Sequence, residues 1–285
     1  MAAGVALNAA FVVVELSCGL WAASLALVAD AGHNAGDVIG LLLAWGASRL
    51  ARRPPTPRYT WGLRRTTIYA ALGNAVLLLT ACGAILWEAW HRFWEPQPVV
   101  GSVMIVVAAV GVVINALTAL LFMRGRAGDA NVRGAFLHMV ADAAVSTGVV
   151  VAGIAVMLTN LPWIDPLVSI LVTLVIVAGT WDLFRESVDL SLDAVPRSVD
   201  TDAITAALAS LPGVTEVHDL HIWGASTSEV SLTVHLVVPE SHDHGPALAG
   251  AIELLRDRFR VAHTTIQLEQ EEACRRCVQR PAEVL

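Results

Sequence analysis

The chain has 285 residues, of which 56% are apolar and 15% charged, and it carries a formal net charge of −7. So apolar a composition excludes an ordinary soluble domain and points to membrane spans. The acidic balance argues against nucleic acid and anionic lipid as charge-matched partners.

Six apolar runs long enough to cross the hydrocarbon layer lie at about 4–24, 26–48, 66–90, 99–123, 134–158 and 164–184. The first lacks a basic flank and runs on into further spans, so it does not read as a cleaved signal, and the missing flank suggests that the native chain starts further upstream. The second contains His33 and Asp37, four residues apart. Arg49, Arg52, Arg53, Arg58, Arg64 and Arg65 follow it. The connection between spans 3 and 4 carries only Arg92, whereas Arg124, Arg126 and Arg133 lie between spans 4 and 5. Span 5 repeats the spacing of span 2 with His138 and Asp142, and the link TNLPWID to span 6 has no arginine. There is no lysine anywhere, so arginine alone sets the orientation: the arginine-rich loops and both termini face the cytoplasm of a multi-pass protein in the cell (inner) membrane. Trp21, Trp45, Trp87, Trp90, Trp94, Trp163 and Trp181 fall near span ends, as an interfacial belt requires.

The character changes near Pro196. Residues 1–192 carry 11 acidic and 11 arginine residues, and residues 193–285 carry 14 and 7, so the whole net charge belongs to the tail. We therefore expect a six-span transmembrane domain over 1–192 and a second, cytoplasmic domain over 193–285. In the tail, Asp200 or Thr201 caps a helix running to about Ser210, which Pro212 and Gly213 end. VTEVHDLHIW and VSLTVHLVV read as strands, Gly245 to Arg260 has helical periodicity, and HTTIQLE is a last strand. The order αββαβ implies a three-stranded sheet with two helices on one face.

The two His-x-x-x-Asp pairs carry the most chemistry. Residues four apart share a helix face, so each pair offers an imidazole nitrogen and a carboxylate oxygen to one point. One such pair reads equally well as an interhelical hydrogen bond. Two pairs on antiparallel spans place His33 near Asp142 and Asp37 near His138, and supply the four ligands of tetrahedral Zn²⁺. Ionisable groups inside a membrane mark ion pathways. With two carboxylates and two neutral imidazoles, a Zn²⁺-loaded site is neutral and an emptied one is doubly negative, so protons compete with the metal. Alternating access turns that competition into metal/proton antiport. No phosphate-binding loop or aspartyl-phosphate motif offers ATP as the energy source. The imidazoles favour Zn²⁺, with Cd²⁺ or Co²⁺ able to follow the same path, over Mg²⁺ and Ca²⁺. Asp30, three residues before His33, is placed to orient that ring from behind. Asn8, Glu15, Asn74 and Asn115 fit interhelical hydrogen bonds, and a proton relay is a further role for Glu15.

In the tail, strand alternation puts His218 and Leu220 on one face and Asp219 and His221 on the other. With His235, His263 and Glu269 on neighbouring strands, these residues allow a regulatory metal site or, equally, solvated strand histidines. His242 and His244 sit in the loop SHDHGP with the same two readings. Cys274 and Cys277 form a C-x-x-C, half of a zinc site or a redox pair, while Cys18 and Cys82 lie in spans as packing residues.

SLALVADAGHNAGD in span 2, HMVAD in span 5, HDLHIW and HTTIQLE together resemble the zinc-transporting branch of the cation diffusion facilitator family over nearly the whole chain. The resemblance implies a six-helix bundle, a metallochaperone-like (ferredoxin-like) αββαβ cytoplasmic domain, a homodimer, and outward zinc transport in exchange for protons. It implies His33, Asp37, His138 and Asp142 as transport ligands. His218, His235, His263 and Glu269 match tail positions that bind zinc in some members, and Cys274 and Cys277 match a terminal pair of ligands in a few. The chain departs from the family at Thr67, where a Glu is usual, and in lacking a histidine-rich run in RGRAGDAN. Two rival classes, an intramembrane metalloenzyme and a membrane-bound metal sensor, are weaker: the first needs an open coordination position and a general base, and no H-E-x-x-H occurs.

Overall fold

A computed structural model describes residues 2–123 and 130–270, with side chains for 8–123 and 133–270. The chain divides into two compact units, Met1–Leu43 with Gly73–Phe184, and Ala44–Leu72 with Arg185–Leu285.

The first unit is helical. Six long helices run through the described residues: α1 (Ala2–Trp21), α2 (Leu25–Ala51), α3 (Thr66–Trp94), α4 (Gly101–Phe122), α5 (Ala130–Thr159) and α6 (Ile164–Ser191), the ends of α2, α3 and α6 extending into the second unit. Their positions follow the six apolar runs to within about four residues, except that α6 continues seven residues past the expected end at 184. Helices α3, α4, α5 and α6 are each long and apolar enough to cross a membrane by length and composition alone. In α2 the residues Asp30, His33, Asn34 and Asp37 dilute the apolar character. The bundle is polar inside and oily outside: Glu15, Asp30, Ser146, Asp165, Ser169 and Thr173 are fully buried, while Leu121 is 82% and Leu158 79% exposed. A solvent of lipid tails explains that inversion, because leucine gains nothing by leaving lipid whereas a polar group must find a partner inside the protein.

The core draws on Ala26, Leu27 and Ala29 of α2, Cys82 and Ile85 of α3, Met104 and Ala108 of α4, Val149 and Ala152 of α5, and Val172 and Ile176 of α6. Small residues set the helix spacing. A Cβ on Gly153 would stand 2.9 Å from Ile105 and 3.2 Å from the Gly101 carbonyl, and one on Gly101 would stand 2.9 Å from the Gly153 carbonyl. The backbones of α4 and α5 therefore meet directly, as small residues allow in membrane bundles.

The second unit holds a three-stranded sheet in the order β1 (Glu216–Gly224), β2 (Val230–Val237), β3 (His263–Glu269), with α7 (Thr201–Ala209) and α8 (His244–Asp257). Strands β1 and β2 are antiparallel, and β2 and β3 are parallel, joined through α8. Asp200 caps α7 by accepting from the Ala203 N–H at 3.0 Å. Helix α8 stops three residues short of the expected Arg260, which adopts φ +55° in the turn before β3. Ile204 and Leu208 of α7 and Ala251 and Leu255 of α8 close over Ile222, Leu232, Val234 and Leu236, giving the αββαβ layer expected from the sequence.

Strand β1 breaks the simple alternation. His218 pairs with His235 but His221 pairs with Thr233, so three steps on β1 oppose two on β2. Asp219, at φ +49°, is the bulged residue, and Asp tolerates this left-handed conformation better than most residues. The expectation that Asp219 lies on the sheet face away from His218 is therefore corrected: both are buried, and both reach His235 or its neighbours.

Candidate functional site

The i, i+4 spacing on α2 and α5 does what helix geometry requires. One ligand atom from each of His33, Asp37, His138 and Asp142 lies within 4.8 Å of all the others. His33 Nε2 stands 3.1 Å from Asp142 Oδ1, and His138 Nε2 stands 3.1 Å from Asp37 Oδ2. Within each helix the separations are 3.9 Å (His33 to Asp37) and 3.6 Å (His138 to Asp142). A tetrahedron with metal–ligand bonds of about 2.0–2.1 Å has edges of about 3.3–3.4 Å. These four separations bracket that value, so side-chain adjustments of less than an ångström bring the four groups to zinc-binding distances. The two imidazole rings stand edge to face with centroids 5.8 Å apart. Exposure grades across the cluster, from 4% for the Asp142 side chain to 43% for His138, so it is open on the His138 side and closed at Asp142.

Two buried networks hold the helix that carries His33 and Asp37. At its start, the Asp165 carboxylate accepts from Ser24 Oγ at 2.6 Å, Leu25 N at 2.7 Å and Ala26 N at 3.3 Å. One anion thus satisfies free N–H groups at the helix N-terminus, where the dipole favours it. Arg92 lies 3.8 Å from the same carboxylate and donates to the Ala23 carbonyl. No local pattern marks this role for Asp165, because its partners on α2 are about 140 residues away. Further along α2, Asn34 donates to Glu15 on α1 at 2.9 Å, and Ser146 on α5 donates to Asp30 at 2.8 Å. Asp30 is therefore engaged by Ser146 and not by the His33 ring, correcting the expected orienting bond. His33 Nδ1 is buried with no hydrogen-bond partner among the described residues.

A second cluster occupies the sheet. His218, His235 and Glu269 bring ligand atoms within 4.8 Å of one another. His218 Nε2 is 3.3 Å from Glu269 Oε2, and His235 Nδ1 is 3.1 Å from Glu269 Oε1. Asp219 joins from the bulge, 3.3 Å from His235 Nε2 and 2.9 Å from His221 Nε2. Sequence alternation missed Asp219 because a bulge leaves no mark in the apolar pattern. His263 does not belong to this group. It pairs with Ser231 at the opposite end of β3, and its ring packs against Trp61 at 4.7 Å. Register explains the separation, since Glu269 lies six residues further along β3, opposite Val237. His242 lies next to Gly213 and Ser241, His244 opens α8, and neither belongs to a cluster of ligands among the described residues. Cys82 is a buried member of the helical core and Cys18 is half-buried. Cys274 and Cys277 lie outside the described residues.

A helical bundle with polar groups turned inward, a cation-sized cluster of imidazoles and carboxylates in that bundle, and a small α/β domain define an integral-membrane protein that handles metal cations. Residues 1–190 match the cation efflux transmembrane domain, and residues 196–271 match the cytoplasmic domain of cation efflux proteins, a dimer module by designation. The chain belongs to the cation efflux family. It is 37% identical over 266 residues to the zinc transporter ZitB of Escherichia coli, covering 93% of this chain and 85% of that one. It is 34% identical over 265 residues to the metal cation efflux system protein CzcD of Cupriavidus metallidurans, covering 93% and 84%. It is 31% identical over 267 residues to the cadmium, cobalt and zinc/H⁺-K⁺ antiporter of Bacillus subtilis, covering 92% and 85%.

Proposed function

We propose that this chain is a zinc exporter that moves Zn²⁺ out of the cytoplasm in exchange for protons, with His33, Asp37, His138 and Asp142 as the transport ligands. It is a transporter, not an enzyme, and acts as a homodimer in a multi-pass membrane setting. The observation that carries the reading is the convergence of two helical His–Asp pairs at separations that bracket the edge of a zinc tetrahedron. The names of the Escherichia coli and Bacillus subtilis relatives support zinc as cargo and proton exchange as the drive. The same donor set accepts Cd²⁺ or Co²⁺.

Exchange follows from the chemistry of the cluster. Each imidazole faces a carboxylate at 3.1 Å, a distance at which a proton is shared by hydrogen bonding. A metal ion needs those same nitrogen lone pairs and carboxylate oxygens free of protons, so loading it releases protons and protonation expels it. The domain boundary falls near residue 192, both termini face the cytoplasm of the inner membrane, and the tail cluster of His218, His235, Glu269 and Asp219 serves as a regulatory zinc site. The arginine-rich loops support that orientation.

Purified full-length protein in liposomes tests this reading. Zinc flux coupled to an opposing proton gradient is expected in the wild type, and Asp142→Ala is expected to reduce flux to that of empty liposomes while the protein remains dimeric. Undiminished flux in Asp142→Ala overturns the assignment.

A further inference from the structure

Beside the His/Asp cluster lies a pair of acids that metal ligation does not use. Glu15 on α1 and Asp30 on α2 are both fully buried, and their side chains meet. Each carboxyl group accepts one hydrogen bond from a neutral donor, Asn34 Nδ2 on Glu15 Oε2 and Ser146 Oγ on Asp30 Oδ2. Their other oxygens, Glu15 Oε1 and Asp30 Oδ1, are buried and take no hydrogen bond from a described donor. Among the described residues no arginine pairs with either acid, and His33 is the one basic group that acts on Asp30 through space. Arg92 is committed to Asp165 and the Ala23 carbonyl. The other ionisable groups on the helices are Cys18 on α1, His33, Asp37 and Arg49 on α2, Tyr69, Cys82, Glu88, His91 and Arg92 on α3, Arg133, His138 and Asp142 on α5, and Asp165, Asp182, Arg185, Glu186 and Asp189 on α6; α4 has none.

Two carboxyl groups that touch, shut off from water with only neutral donors, do not both carry charge; they hold one proton between them. That proton also supplies the hydrogen bond that both orphaned oxygens lack. We propose that Glu15 and Asp30 form a shared-proton site, distinct from the four metal-ligand candidates, whose proton is driven off when zinc loads. The inference rests on reading the His/Asp cluster as the transport site.

The pair is wired to that cluster through short helical steps. Asp30 precedes His33 by three residues, and Asn34, which holds Glu15, follows it directly. Ser146, which holds Asp30, lies one turn beyond Asp142 on α5. A divalent charge in the cluster favours the ionised pair, and its departure favours the protonated one, so metal and this proton alternate through space without contesting the same ligand atom. Linkage makes the effect reciprocal: a proton on the pair weakens zinc binding as much as zinc weakens the proton. One transport cycle then moves a proton beyond those displaced from the ligands.

The test counts protons. Zinc is added to the purified full-length protein in weak buffer, proton release is followed with a pH indicator, and affinity is measured in parallel by calorimetry. Glu15→Gln and Asp30→Asn are expected to bind zinc within several-fold of wild type and to release fewer protons per zinc, the difference approaching ~1 per protomer. Infrared difference spectra of the wild type are expected to lose a protonated-carboxyl stretch on zinc addition, a change missing or reduced in Glu15→Gln. The wild-type spectrum needs no variant to fold, and a zinc-difference spectrum without any carboxyl loss overturns the proposal. So does an unaltered proton count in both variants. Asp142→Ala separates the two readings: if it binds zinc normally the ligand assignment fails, and if it loses zinc while Glu15→Gln releases the wild-type number of protons, only the shared-proton pair fails.

Discussion

The membrane cluster and the tail cluster use the same ligand types but are built by different rules. In the bundle, four residues from two helices converge because a four-residue step returns to one helix face. His33 and His138 each face a carboxylate of the other helix at 3.1 Å, and exposure runs from closed to open across the group. In the sheet, the candidate ligands come from three strands, their meeting depends on register, and a bulge turns Asp219 inward. His218 and Glu269 are nearly closed off, and both nitrogens of His218 lack a well-formed hydrogen bond. A graded, hydrogen-bonded cluster suits an ion that must leave. A closed cluster with unsatisfied nitrogens suits an ion that stays.

Breaking each cluster separately sharpens that contrast. The largest effect is expected for Asp142→Ala, which removes the most buried ligand of the bundle and should abolish zinc flux in liposomes without removing tail-bound metal. Next comes Asp165→Ala. It strips the Ser24 hydroxyl and two helix N–H groups of a buried anion, and should lower stability by about 2–5 kcal/mol, read as a fall in melting temperature. Transport should fall with it because α2 carries two of the ligands, whereas zinc bound by the tail should not change at temperatures where the fold persists. His235→Ala should cost one zinc per protomer, counted by elemental analysis, with zinc flux retained at a reduced rate. The smallest effect is expected for His263→Ala: the zinc count stays at the wild-type value, and the lost ring contact with Trp61 costs about 0.5–1.5 kcal/mol. A lower zinc count in that variant would bring His263 back among the tail ligands.

The same contrast explains what could be read from the sequence. Helical periodicity is local, so the six long helices and the pairing of His33 with Asp142 and His138 with Asp37 followed from spacing and antiparallel order. The αββαβ order was legible too, through Asp200 as a cap, Gly213 as a stop and the alternation of β2. The bulge at Asp219 was not, because it depends on one positive φ and a partner strand, and alternation placed Asp219 on the wrong face. His263 was grouped with Glu269 because both lie on HTTIQLE, yet they stand at opposite ends of β3, about 20 Å apart along an extended strand. Asp165 and Ser146 act through partners more than 100 residues away, and only packing reveals them.

Transport by this route requires a single ion seated in the bundle. Anomalous scattering at the zinc edge, from crystals of the full-length protein loaded with zinc, tests it most directly. The expected result is a peak enclosed by His33, Asp37, His138 and Asp142, at about 2.0–2.2 Å from one atom of each. Zinc found only at the tail cluster, with the bundle residues still paired to one another, would contradict it.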